Sequence, residues 1–145
     1  MLITQRKFVI DASRERIWDL IDRALFSTLD LQRMSVVDEH NITAQVPVKM
    51  GPIKIPMDLR VEITDATPLE NLAATLHVKS KGGIIRLSTQ TSIRLSRVGE
   101  DKTEVACTAA AEEMSALKRA VFLWKVKSFS GDVFDGVRNY LEKMA

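Results

Sequence analysis

Few residues in this sequence have the side-chain chemistry of an active site. The chain holds two histidines, His40 and His77, and a single cysteine, Cys107. His40 follows Asp38 and Glu39, which puts an imidazole beside two carboxylates, the partners that acid–base work uses. The same three residues stand near a strand end, so an exposed turn is the plainer reading. His77 falls on the polar side of an alternating stretch and is expected to be solvated. Cys107 would need a neighbouring cation to become a reactive thiolate. It alternates inward between Val105 and Ala109 and reads as an inert buried thiol. Glu112 and Glu113 stand side by side where the last helix is expected to open, a position where carboxylates meet its positive end. Asp132 and Asp135, near Gly131 and Gly136, read as a solvated helix face. Thr89 and Thr91 are the more interesting pair, because both interrupt an apolar strand face. A buried hydroxyl must bond to backbone, water or the polar end of a ligand. The chain has no Gly-rich phosphate loop, no Cys/His metal spacing and no Gly-x-Ser-x-Gly elbow, so no metal or cofactor is implied.

These side chains belong to a chain of 145 residues, enough for one domain with a real core. Its net charge of +2 gives no strong field for nucleic acid. One cysteine excludes an intrachain disulfide and fits a reducing compartment. The first residues, "MLITQRKFVIDAS", show no basic leader before a long apolar run, and no window approaches the roughly 20 apolar residues of a membrane span. The composition reads as a single soluble cytoplasmic domain over residues 1–145.

The elements that must position the threonines are mostly strands. "VPVKMGPIKIPM" alternates like a strand yet carries three prolines. Gly51 and Pro52 suit the two central positions of a type II′ turn, which pairs Met50 with Ile53, Val48 with Ile55 and Val46 with Met57. Pro47 then faces Pro56 at a site that costs the hairpin no hydrogen bond, and each proline interrupts pairing with whatever lies beyond. Alternation resumes through Leu59, Val61 and Ile63, then through Leu72, Ala74, Leu76 and Val78. It continues through Leu87, Thr89, Thr91, Ile93 and Leu95, and weakly through Val105, Cys107 and Ala109. With "ITQRKFVI", "MSVVDEH" and "ITAQVPVKM" this makes about seven antiparallel strands joined by short turns.

Two regions are helical. "ASRERIWDLIDRALFSTLDLQRM" has Ser13 as an N-cap and reads as two short helices. After Glu113 comes one long helix with Leu117, Ala120, Val121 and Trp124 on a stripe that Val133, Val137 and Leu141 continue. Gly131 and Gly136 are expected to weaken or kink it. A second stripe, Phe122, Val126 and Phe129, carries Lys125 and Lys127 beside it. A helix apolar on two sides must bury both, so either the short helices and loops cover this stripe or it is the contact for a protein partner, a second copy or a membrane surface. A one-sided sheet must cover its apolar face, and the last helix is the element long enough to do so.

The order of elements, with "FVIDASRERIWDLIDR", "AQVPVKMGPIKIPMDLRVEITDATP", "GGIIRLSTQTSIRL" and "DKTEVACTAAAEE", resembles the START-like (SRPBCC) helix-grip superfamily. Within it the chain is similar to the CoxG-like branch, whose members accompany carbon-monoxide dehydrogenase. The superfamily resemblance implies an α+β fold in which a curved sheet wraps a C-terminal helix around a cavity for a hydrophobic small molecule or lipid. The branch implies accessory service to a molybdenum hydroxylase. The expected lining is Val46, Val48, Met57, Leu59, Leu76, Leu87, Thr89, Thr91, Leu117, Val121 and Trp124. Two other readings stand beside the carrier: a polyketide cyclase or dehydratase-like enzyme, and a cochaperone or assembly adaptor.

Overall fold

Seven strands form one antiparallel sheet, flanked by two helices. In the computed structural model they are β1 (Leu2–Ile10), α1 (Arg14–Leu29), β2 (Gln32–Asp38), β3 (Asn41–Met50), β4 (Ile53–Thr67), β5 (Asn71–Lys79), β6 (Arg86–Gly99), β7 (Lys102–Met114) and α2 (Arg119–Met144). The structure describes residues 2–29, 32–50, 52–80, 86–114 and 119–145, with the backbone alone for 112–114, 119–126 and a few others. The strand order β1-β7-β6-β5-β4-β3-β2 leaves β1 and β2 at the two edges. Strands β2 to β7 are a meander, whereas β1 crosses to pair with β7.

The hairpin register follows from its turn and its prolines. Met50 pairs with Ile53, Pro47 with Pro56 and Val46 with Met57, as the two-residue loop requires. Gly51, on which the turn type depends, lies outside the described residues. Among the described residues β2 pairs with β3 as far as Gln45, and β5 with β4 from Asp58. No described pair of either outer ladder involves Pro47 or Pro56, whose rings have no N–H to donate.

The main core lies where both helices meet the sheet. Ile17, Leu20, Ile21 and Ala24 of α1 and Phe134, Val137 and Leu141 of α2 pack with Phe8, Ile10, Ile93, Leu95, Val105 and Cys107. Thr103 ties this core to the β1–α1 link by donating from Oγ1 to the Ala12 carbonyl at 2.8 Å. The sequence predicts two short helices after β1, but α1 is one continuous helix of 16 residues. Its buried positions keep helical spacing from Ile17 to Ala24 without a proline or glycine to interrupt them. The Arg16 amide donates to Ser13 Oγ at 3.2 Å, so the expected N-cap is in place.

The end of β7 corrects a second expectation. Glu112 and Glu113 are strand residues and do not open the last helix, because the ladder with β6 runs on to Leu87↔Met114. An irregularity between Ser88 and Thr89 absorbs one extra residue on β7, leaving Glu113 opposite Ser88.

Helix α2 is also uninterrupted through Gly131 and Gly136. The glycines serve close approach and not a kink. A methyl group at Gly131 would lie 2.8 Å from Arg6 Nη2, and one at Gly136 would overlap Thr28 Cγ2 and lie 2.9 Å from its Oγ1. Arg6 also pairs with Asp135 at 3.1 Å, so Asp135 is an exposed anchor rather than merely a solvated residue. Thr4 Oγ1 donates to the Lys127 carbonyl at 3.2 Å. These contacts seat α2 on the edge strand β1.

The two glycines predict opposite outcomes. The Arg6 side chain is long and can move, so Gly131→Ala should be neutral or stabilising by up to about 1 kcal/mol from helix propensity. Thr28 is held by its own bond to the Ala24 carbonyl at 2.7 Å. Gly136→Ala should therefore destabilise by about 1–3 kcal/mol, with Thr28→Ala restoring most of the loss. Urea unfolding of the two single variants and the double variant measures this.

Candidate ligand-binding site

Alternation assigns each strand residue to one of two sheet faces, and the inner face is the one that α2 covers. On β3 and β4 that face carries Val46, Met57 and Leu59, all buried. Val61, Leu76, Val78 and Phe129 pack against them as a second apolar cluster, separate from the main core. Leu87 is also inward and belongs to the main core, while Val78 touches both clusters.

The middle rows of the inner face carry several short side chains. One register row reads Thr4, Ala109, Thr91, Ala74 and Ile63 across β1, β7, β6, β5 and β4. The next places Ala111 beside Thr89 and Thr89 beside Leu76. Among the described elements helix α2 rests on β1 and more lightly on β7. Thr89 is 5% exposed and Thr91 half-buried. Neither hydroxyl makes a hydrogen bond to another described residue, although Thr4 and Thr103, equally buried, both do. Sequence reasoning found the threonines but missed Ala74, Ala109 and Ala111. Their signal was the absence of a large residue at an inward position.

The structure thus brings Val46, Met57, Leu59, Leu76, Leu87, Thr89 and Thr91 onto one face, as the alternation predicts. Leu117 lies outside the described residues. The side chains of Val48, Val121, Trp124, Phe122, Lys125 and Val126 also fall outside the description. Phe129, expected to face outward toward a partner or membrane, turns inward instead and packs on Val46, Met57 and Leu59. The reason is its phase on the helix: Phe129 is followed at four-residue steps by Val133, Val137 and Leu141, which face the core. Lys127 is exposed.

The remaining chemistry lies elsewhere. His40 is exposed in the β2–β3 turn, where its amide donates to Asp38 Oδ1 at 2.8 Å. His77 is on the outer face as expected, but it is not simply solvated. Its Nδ1 lies 2.9 Å from Ser88 Oγ, and its Nε2, shielded from water, lies 3.5 Å from Glu62 Oε2 without the alignment of a hydrogen bond. Cys107 is fully buried, and burial alone pushes its thiol up to about 12. Among the described residues no group of His, Cys, Asp and Glu side chains is placed to hold a metal ion. Among them, too, no helix is long and apolar enough to cross a membrane.

The buried polar groups differ in what their removal should cost. Thr89→Val removes a hydroxyl that has no described partner and should leave stability unchanged or raise it. Thr103→Val removes the donor to Ala12 and should cost about 1–3 kcal/mol in the same urea assay. The Cys107 thiol is raised in the folded state above its ordinary value of 9.0. The stability it contributes is complete below about pH 9 and is lost as pH rises toward 12. Wild type should therefore lose stability between those limits with an extra slope approaching about 1.4 kcal/mol per pH unit, which Cys107→Ala abolishes.

No protein-family model matches this chain, and no curated relative does. Solved structures do match. A conserved protein from Geobacillus kaustophilus is 15% identical with a TM-score of 0.75, covering 96% of this chain and 94% of its own. The Zhui aromatase/cyclase from Streptomyces sp. R1128 is 11% identical with a TM-score of 0.63, covering 96% of this chain and 92% of its own. DynU16, a protein of the dynemicin biosynthetic locus, is 13% identical with a TM-score of 0.59, and this chain spans 46% of its length. Similarity at this identity is similarity of fold. The expected architecture stands: a curved seven-stranded antiparallel sheet around a C-terminal helix, the helix-grip fold.

Proposed function

We propose that this protein is a cytoplasmic binding or carrier protein for a hydrophobic small molecule or lipid, held between the inner sheet face and α2. One observation carries the reading. Among the described side chains the inner face carries two apolar clusters joined at Val78, and its middle rows bear Ala74, Ala109, Ala111 and two hydroxyls without a described partner. A guest molecule seated there would bury apolar area at about 25 cal/mol per Å² before association costs are subtracted. Thr89 and Thr91 offer its polar end a donor and an acceptor, which fixes orientation more than affinity. Accessory service to a carbon-monoxide-dehydrogenase-type molybdenum hydroxylase is the narrower form of this reading, and rests on the sequence resemblance alone.

A second reading has one observation in its favour, the shared fold of the Zhui aromatase/cyclase. An enzyme of that kind needs an acid–base group facing the guest. Among the described inner-face positions of β3 to β6 there are the two threonine hydroxyls and no carboxylate or imidazole. Glu112, beside the irregularity in β7, is the residue to test for that role. The adaptor reading loses Phe129, which is committed to the sheet.

Native mass spectrometry of the purified protein, with a screen of quinones, fatty acids and phospholipids, tests the carrier. At least one apolar compound should bind better than millimolar. Filling the middle rows with Ala74→Leu and Ala109→Leu should weaken binding at least tenfold in protein that remains folded. Thr89→Val should weaken it by roughly five- to tenfold, the worth of one hydrogen bond. A screen in which nothing apolar binds would sink the reading. Turnover of a polyketide-like substrate that Glu112→Gln abolishes would replace it with the enzyme.

A further inference from the structure

The outer face of the sheet has its own concavity, a cleft of about 670 Å³ over β3 to β6. It lies beside the last described pairs of the outer ladders, at Gln45, Asp58 and Lys79, and no residue of α2 lines it. Arg60, His77, Lys79, Arg86 and Ser88 line it, with Asp58 at one side. Three cations against one carboxylate give the lining a charge of +2 with His77 neutral, as much as the whole chain carries.

The arrangement of these cations points to an occupant. Lys79 and Arg86 are directly opposite each other in the β5–β6 ladder, and both are exposed. Like charges in that relation repel across roughly 5 Å and destabilise a sheet. Neither forms an ion pair with a described residue. Asp58 is the register partner of Lys79 on its other side, and Arg60 lies 4.0 Å from Glu62. Those carboxylates, with Glu113 opposite Ser88 on β7, offset part of the field, but no described carboxylate side chain stands between Lys79 and Arg86. An anion there would turn a repulsive pair into two charge-assisted contacts. Arg60, one register row away, has guanidinium donors beyond those Glu62 can take.

We propose that this outer cleft binds a phosphate group, as a monoester or pyrophosphate, between Lys79 and Arg86 with Arg60 as the third donor. The site is on the opposite face from the apolar guest and does not depend on it. Arg94 lies on the same face of β6 outside the cleft and serves as a control cation.

Titration of the full-length protein with pyrophosphate at constant ionic strength, followed by amide NMR, tests the site. Saturable shifts should centre on Lys79, Arg86 and Ser88. The double variant Lys79→Ala/Arg86→Ala should bind at least tenfold more weakly, and Arg94→Ala should bind as wild type does. A parallel sedimentation arm uses phosphatidylcholine vesicles with and without phosphatidic acid. Phosphatidic-acid-dependent sedimentation lost in the double variant identifies a lipid headgroup as the source. Pyrophosphate binding without sedimentation identifies a soluble phosphate. Unsaturable shifts, equal shifts around Arg94, an unaffected double variant, or no response in either arm would overturn the proposal.

Discussion

A helix can lie against a sheet only as closely as the side chains between them permit, and at one edge of this sheet Arg6 and Thr4 of β1 hold it. The Arg6 guanidinium lies beside Gly131 and reaches Asp135 one turn further on. Thr4 secures the preceding turn through the Lys127 carbonyl. Helix α2 is thus held low over β1, an edge strand. Over β5 and β6 the inner face carries Ala74, Thr89 and Thr91 among larger apolar residues. The size of the residues between helix and sheet is the constraint that both regions share.

The two faces of the middle strands are coupled, because a strand cannot change one face without fixing the other. Val78 and Leu87 face inward, so Lys79 and Arg86, their sequence neighbours, must face outward at the same level. Thr89 and Ser88 divide in the same way, one toward the helix and one toward His77. Between these two residues the β6–β7 register shifts by one, with Glu112 as the extra residue. An apolar interior and a charged exterior are therefore built from a single set of strands.

Strand parity was the most legible part of the sequence. It has a period of two, and the Gly-Pro turn and facing prolines leave one register for the hairpin. The start of α2 was less legible because "CTAAAEEM" combines alanines and glutamates, which suit a helix as well as a strand. The ladder with β6 decides between them, and that is a tertiary fact. Phe129 was misplaced because two apolar stripes were joined across the glycines with the wrong phase. The environment of His77 was not legible at all, since Ser88 and Glu62 reach it only across neighbouring strands. Empty space gives the weakest signal, because an inward alanine looks the same whether a neighbour or a guest fills the room above it.

The crossing of β1 to pair with β7 has a consequence for how the chain assembles. Strands β2 to β6 can form in succession as neighbouring hairpins, each closed over a short stretch of chain. Strand β1 is made first, but its partner comes from residues such as Val105 and Ala110, roughly a hundred positions later. On the ribosome, Ile3, Phe8 and Ile10 must wait uncovered until most of the polypeptide has emerged. Sheet completion and helix docking then become one late event, so a nascent chain stalled before β7 would present that first strand to any chaperone that recognises extended apolar segments.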